Sequence, residues 1–356
     1  MPGNGSDFRF ESRSITATRQ SFRVIAVLIL SGASLLTTAR AAPITYVTDP
    51  HAATDTPPFI QLLGINDSGT IVGYTGIGMV MANGSVLDPN RGFILHLPNS
   101  FTDLNPNFNA ATCATCQAQV LGITDSGTTT AGFYIGADGV SKGFLDVGNG
   151  PTATDVVDPL TPAGATNQLL GINHTGMEAA GFYTDAAGND HAYVYMTASQ
   201  VFTALPFLAN GPVSGDSNQA TGVNNSGMVS GFDGTTGKGF LYDPMTNSYT
   251  AINVPNSALT QPLGLNDQGQ VIGTYNDMAG VAHGFLYSGG LFFTIDPPGS
   301  TATVLNGINN AGTIVGFFTD AENNTIGIVV TPEPAAFLLA GAGLAVLFLR
   351  RRLRNA

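Results

Sequence analysis

The chain offers few side chains for chemistry. Its 356 residues include five histidines (His51, His96, His174, His191 and His283), two cysteines (Cys113 and Cys116) and, away from the ends, two glutamates, Glu178 and Glu322. A metal centre needs three or four converging ligands. Only His191 and His283 share a place in the repeat pattern described below, so the histidines read as surface or edge residues. Aspartates are more plentiful. Asp67, Asp125 and Asp267 occupy Asn-Asp-Ser-Gly-type turns, where a carboxylate can cap the backbone, and Asp185, Asp190, Asp277 and Asp320 lie in later loops. Clustered carboxylates suit calcium, but with neither an EF-hand nor an Asp-x-Asp ladder these acids read as solvated turns. The sequence demands no cofactor, and calcium is the one ion its acids suggest. It has no Gly-x-Ser-x-Gly elbow, His-Glu-x-x-His helix or phosphate-binding loop. A glycosidase-like carboxylate pair would have to be assembled from aspartates brought together by the fold.

Charge narrows the partners. Of 12 basic residues, only Arg91, Lys142 and Lys238 lie between residues 43 and 330, against 21 acidic residues, a formal net charge of −18 for the body. Such a surface repels nucleic acid, because phosphate binding requires Lys or Arg to displace counterions.

The elements that must position these residues come from a repeat. Leu63-Gly64-Ile65-Asn66-Asp67-Ser68-Gly69 recurs near residues 121, 170, 221, 263 and 306, its leading glycines 42 to 58 residues apart. That period suits propeller blades. In each unit the turn is a tight hairpin, since Asn and Asp tolerate turn geometry and the closing glycine can take positive φ. A β-branched run follows (Thr70-Ile71-Val72-Gly73-Tyr74), then a Gly/Asp/Asn-rich loop. A third run such as Gly284-Phe285-Leu286-Tyr287 and a fourth such as Phe292-Phe293-Thr294-Ile295 complete a four-stranded antiparallel sheet. The units start near 62, 120, 169, 220, 262 and 305. The sixth lacks a fourth run, and residues 43–50 resemble one, so an N-terminal strand is expected to close the last blade and remove free edges. The expected fold is therefore all-β: a six-bladed β-propeller over residues 42–330, with an open β-solenoid as the alternative.

Both ends read as trafficking segments. Arg9, Arg13, Arg19 and Arg23 precede the apolar run 24–30 and the small residues of Ala39-Arg40-Ala41, which predicts a signal peptide over 1–41, a signal helix cut by signal peptidase between Ala41 and Ala42. At the other end Pro332-Glu333-Pro334 precedes 15 apolar or small residues and the cluster Arg350, Arg351, Arg352 and Arg354. This short hydrophobic helix would hold the tail in the membrane, with its arginines on the cytoplasmic face. In an exported chain Cys113 and Cys116 are expected to form a local disulfide. A thioredoxin-like pair would need a βαβ setting, and zinc two further ligands.

Residues 331–356 resemble the PEP-CTERM sorting signal of Gram-negative bacteria: Pro-Glu-Pro, a Gly/Ala/Leu-rich helix and a terminal arginine cluster, in that order. The resemblance implies that an exosortase recognises Pro332, Glu333 and Pro334 and removes the tail. The Gly-Ile-Asn-x-x-Gly units with their Gly-Phe third runs also resemble the HAF-type extracellular repeat. His283-Gly284-Phe285 and His191-Ala192-Tyr193 match it best, whereas Arg91-Gly92-Phe93 departs from it. Together these imply an exported protein with a surface location and no established reaction. With no catalytic constellation in the body, a cell-surface or matrix protein with a binding or structural role, not an enzyme, is expected, its partners exopolysaccharide or envelope proteins. The competing expectation is an exported polysaccharide hydrolase or lyase on the same scaffold, which requires carboxylates converging at one mouth of the ring.

Overall fold

In the computed structural model the chain forms a closed six-bladed β-propeller, not a solenoid. The structure describes residues 43–50, 58–77, 90–104, 117–148, 153–206, 211–212 and 215–331, with short paired strands at Arg23–Ile25, Thr38–Arg40, Met79–Val80 and Val86–Asp88. Each blade is a four-stranded antiparallel sheet, its innermost strands being Ile60–Ile65, Gln117–Ile123, Asn167–Ile172, Asn218–Val223, Leu259–Leu265 and Ala302–Ile308 in blades one to six. The sixth blade takes its outer strand from the start of the body: Ile44–Val47 pairs with Thr325–Val330, Ile44 opposite Val330. The propeller's first and last strands are thus tied into one sheet.

The repeated residues explain why each unit folds alike. Asn66 Oδ1 accepts from the Thr70 N–H at 2.8 Å, and the Gly69 N–H closes on the Asn66 carbonyl at 3.0 Å. Gly69 has φ 83°, the left-handed conformation expected of the hairpin's closing glycine. The leading glycine has a different reason. A Cβ on Gly64 would stand 2.5 Å from the Leu121 carbonyl oxygen of the next blade, so only glycine lets the inner strands approach the axis this closely.

Packing is between blades. Each of six buried clusters lies at one blade–blade junction: Val72 and Ile94 of blade one meet Val120, Ile123 and Phe144 of blade two, and Val315 and Val329 of blade six meet Ile60, Leu62 and Phe93 of blade one. In a chain without tryptophan, the third-strand aromatics fill these junctions. Phe93, Phe144, Tyr193, Phe240 and Phe285 each sit opposite a second-strand glycine, as Phe285 does Gly273, and lie across the gap its missing side chain leaves.

Two features depart from the sequence reading. A small hairpin, Met79–Val80 with Val86–Asp88, is inserted between the second and third strands of blade one. The described residues contain no helix, so none long and apolar enough to cross a membrane. Where a signal helix is expected, Arg23–Ile25 pairs with Thr38–Arg40; Val24 and Ile25 are β-branched and suit extended backbone. The expected C-terminal helix lies outside the described residues.

Candidate functional site at the axial turn ring

The six first-hairpin turns meet around the propeller axis. Their second residues, Asp67, Asp125, His174, Asn225, Asp267 and Asn310, form a ring knit by at least one blade-to-blade hydrogen bond at every step. The Asp67 N–H donates to Asp125 Oδ1 (2.9 Å), the Asn225 N–H to Asp267 Oδ1 (2.8 Å), the Asp267 N–H to Asn310 Oδ1 (2.9 Å) and the Asn310 N–H back to Asp67 Oδ1 (2.7 Å). The carboxylates expected to cap their own turns instead accept from the neighbouring blade, because Asn66 and its equivalents already cap those turns. Beneath them lies a second circuit. Asn66, Asn224, Asn266 and Asn309 donate from Nδ2 to the next turn's carbonyl, at 2.9, 3.2, 3.1 and 3.0 Å.

The ring is irregular at blade three. The Asp125 N–H donates to the His174 backbone carbonyl (2.9 Å), and Thr175 N–H, not that of His174, reaches Asn225 Oδ1 (3.1 Å). The imidazole is therefore free of the circuit. Its Nδ1 lies 3.2 Å from Asp67 Oδ1 and 3.4 Å from Asp125 Oδ1, buried, in directions that make no hydrogen bond. One donor atom from each of Asp67, Asp125 and His174 lies within 4.8 Å of the other two, close enough to share one ion. Burial raises the Asp67 carboxyl, but the Asn310 N–H and amide and the adjacent His174 outweigh it and hold the carboxyl below its ordinary value. The axial channel that His174 helps to line holds about 450 Å³ including its open mouth, and its wall is the segment around the leading glycine of each inner strand, Leu-Gly-Ile in blades one to three and Thr-Gly-Val, Leu-Gly-Leu and Asn-Gly-Ile in blades four to six.

The other candidate residues do not join this site. His191 and His283 share a slot, as their sequence positions indicate, but each is held within its own blade. His191 Nε2 is 2.8 Å from Asp185 Oδ2 and its ring stacks on Tyr183. His283 Nδ1 is 2.7 Å from Asp296 Oδ2 and its ring stacks on Tyr275. The same slot, the residue before the third-strand Gly or Ala, holds Arg91, Lys142 and Lys238, and Lys142 pairs with Asp138 at 3.7 Å. Each of these bases follows the second loop, at the end of its blade away from the turn ring. Asp185, Asp277 and Asp320 accept from N–H groups of their own loops, while Asp190 accepts from Gln219 of the next blade. His96 Nδ1 approaches Thr70 Oγ1 at 3.4 Å. Burial raises the Glu178 carboxyl, and Glu322 sits in the loop that Asp320 caps. His51, Cys113, Cys116, Ala41, Ala42, Pro332, Glu333, Pro334 and the arginines from 350 onward lie outside the described residues. His174 is the site residue that sequence reasoning passed over, although it occupies the same turn position as Asp67 and Asp125.

Comparison with known proteins agrees with this division into ring and tail. The PEP-CTERM protein-sorting motif matches residues 330–352, so the chain carries an export and sorting signal that implies exosortase-dependent processing. No curated protein is similar to the chain in sequence. Solved propellers share its fold. A protein described as TolB from Agrobacterium tumefaciens is 15% identical with a TM-score of 0.51, over 78% of this chain and 92% of that one. TolB from Acinetobacter baumannii is 8% identical with a TM-score of 0.48, over 75% of this chain and 64% of that one, so the match spans less than two thirds of that protein. The β-propeller domain of the Trilobed protease from Pyrococcus furiosus is 11% identical with a TM-score of 0.45, over 77% and 96%. At these identities the likeness is one of fold. The protein is thus a six-bladed β-propeller with a PEP-CTERM sorting motif following its last strand.

Proposed function

We propose that this is an exported, exosortase-sorted protein of the cell surface or extracellular matrix, whose propeller binds or organises envelope material such as exopolysaccharide. The observation that carries this reading is the position of the sorting motif against the fold. It begins where the last strand, Thr325–Val330, ends, and that strand is tied to Ile44–Val47. Cleavage after Ala41 and near Pro332 would then leave all six blades whole. A rigid ring with loops on both faces and a surface of net negative charge suits contact with neutral or cation-bridged polymers. We also keep the HAF-type reading of the repeats, on the residues that carry the resemblance.

Fractionation of the producing organism, with intact-mass analysis of membrane, surface and medium, tests this. The expected mature form starts at Ala42 and ends near Pro332, outside the inner membrane, and sediments with the exopolysaccharide. A form that keeps Arg350 to Arg354 in the inner membrane would overturn it. The convergence of Asp67, Asp125 and His174 at one mouth favours a second reading, a polysaccharide hydrolase or lyase. Depolymerisation that Asp125→Asn abolishes would establish that reading in place of the first.

A further inference from the structure

We infer that Asp67 Oδ1, Asp125 Oδ1 and His174 Nδ1 form a binding site for one divalent transition-metal ion, of the zinc(II) class, on the propeller axis. The geometry comes first. Nitrogen and oxygen ligands about 2.0–2.2 Å from zinc stand about 3 to 3.5 Å apart when adjacent in its coordination shell. His174 Nδ1 stands 3.2 and 3.4 Å from the two carboxylate oxygens.

The second observation is the unused imidazole nitrogen. Nδ1 is buried with two carboxylates beside it, yet makes a hydrogen bond to neither. A buried polar atom without a partner costs about 1–3 kcal/mol, and a cation held jointly by the three donors removes that cost. Hydrogen bonds already orient both carboxylates: Asn310 Nδ2 donates to Asp67 Oδ2 at 2.9 Å, and the Asp67 N–H donates to Asp125 Oδ1. Outer contacts of this kind set ligand direction in metal sites.

The electrostatics point the same way. Asp67, Asp125 and Asp267 put three carboxylates into the ring. Arg91, Lys142 and Lys238, the basic residues of the body, follow the second loops at the far ends of their blades. His174 is the ring's only group able to carry positive charge, and a dication would supply the rest. One imidazole with two carboxylates suits zinc, manganese or nickel, whereas calcium takes six to eight oxygens. Three protein ligands leave a coordination position for water or an oxygen of a bound partner.

The repeat supplies conservative variants. Asn occupies the same turn position in blades four and six, at Asn225 and Asn310, so Asp125→Asn and His174→Asn reproduce turns this fold already uses. The test is calorimetric titration of the chelator-treated full chain with zinc, and with calcium in parallel, following thermal unfolding and circular dichroism. The expected result is one zinc per chain and a raised Tm. Each variant should keep the wild-type spectrum and bind zinc at least about 10-fold more weakly, and calcium should leave Tm unchanged. No zinc uptake by the wild-type chain would overturn the proposal. So would equal zinc affinity in both variants, or calcium binding that survives His174→Asn.

Discussion

The backbone N–H of Thr331 donates to the carbonyl of Pro43 at 3.2 Å, across 288 residues of chain. Beside that bond Ile44, 5% exposed, packs against Ile308, Ile314, Phe318 and Val330 in the junction between blades five and six. The outer strand of blade six is therefore both a sheet partner and a piece of core. Ile44→Asp places a charge where none is paired, and should destabilise by about 3 kcal/mol or more. The loosened strand would also bare the edge of Thr325–Val330, an invitation to edge-to-edge association. A lowered Tm with new oligomers on size exclusion is the expected outcome; a monomer of unchanged Tm would mean that the ring does not need this closure.

The inner asparagine circuit should matter more to stability than the acid ring above it. Asn309 Nδ2 donates to the Asn66 carbonyl at 3.0 Å in a buried setting, and its Oδ1 caps the Thr313 N–H at 2.9 Å. Asn309→Ala orphans both groups and should cost about 2–4 kcal/mol. The Asn225 side chain donates to Asp267 Oδ2 and accepts from the Thr175 N–H, both at exposed positions, so Asn225→Ala should cost about 1 kcal/mol or less. Denaturant titration of the two variants decides it, and equal losses would refute the ranking.

The second-strand glycines are filled space. A Cβ on Gly273 would sit 2.0 Å from the Gln261 carbonyl oxygen and 2.9 Å from the Phe285 ring. Backbone cannot yield as a flexible side chain can, so Gly273→Ala should lower stability by about 3 kcal/mol. Gly280, at φ 86° with open space around it, makes the comparison. There alanine is opposed only by its conformation, a loss of about 1–2 kcal/mol. If chemical denaturation gives Gly280→Ala the larger loss, the steric account of Gly273 fails.

Much of this fold could be read before any coordinates, for reasons now visible in single residues. Asn66 and Gly69 recur because every blade needs the same capped turn, and the run at 43–50 stood out because the sixth unit lacked a fourth strand. The site was only half legible. Asp67 and Asp125 were recognisable as turn acids, but which turn a carboxylate serves depends on the neighbouring blade, 58 residues away. His174 was hidden for a related reason: its side chain crosses to Asp67 because its backbone carbonyl has taken over its place in the circuit. The Met79–Val80 hairpin escaped because it belongs to one blade and does not repeat.

The His283 cluster should make stability depend on pH, with a sign set by its partners. Burial pulls the imidazole down, but Asp296 at 2.7 Å and Asp277 at 3.6 Å raise it more, so its folded value lies above the ordinary 6.5. A group that binds its proton more tightly when folded stabilises the fold below its unfolded pKa and loses that effect as pH rises through the folded one. Asp277 moves oppositely: N–H donors at Val281 and Ala279 lead the causes that hold it below 3.8, so its contribution is present above that value and fades in acid. His283→Gln keeps a side chain of similar reach without the charge. The stability gap between wild type and this variant should be widest near pH 5–6, where imidazolium and carboxylates coexist, and should narrow steadily from pH 6.5 upward. Urea unfolding at pH 5.5, 7 and 9 measures it. A gap that stays constant, or widens toward pH 9, would show that Tyr275 stacking rather than the ion pair is what His283 contributes.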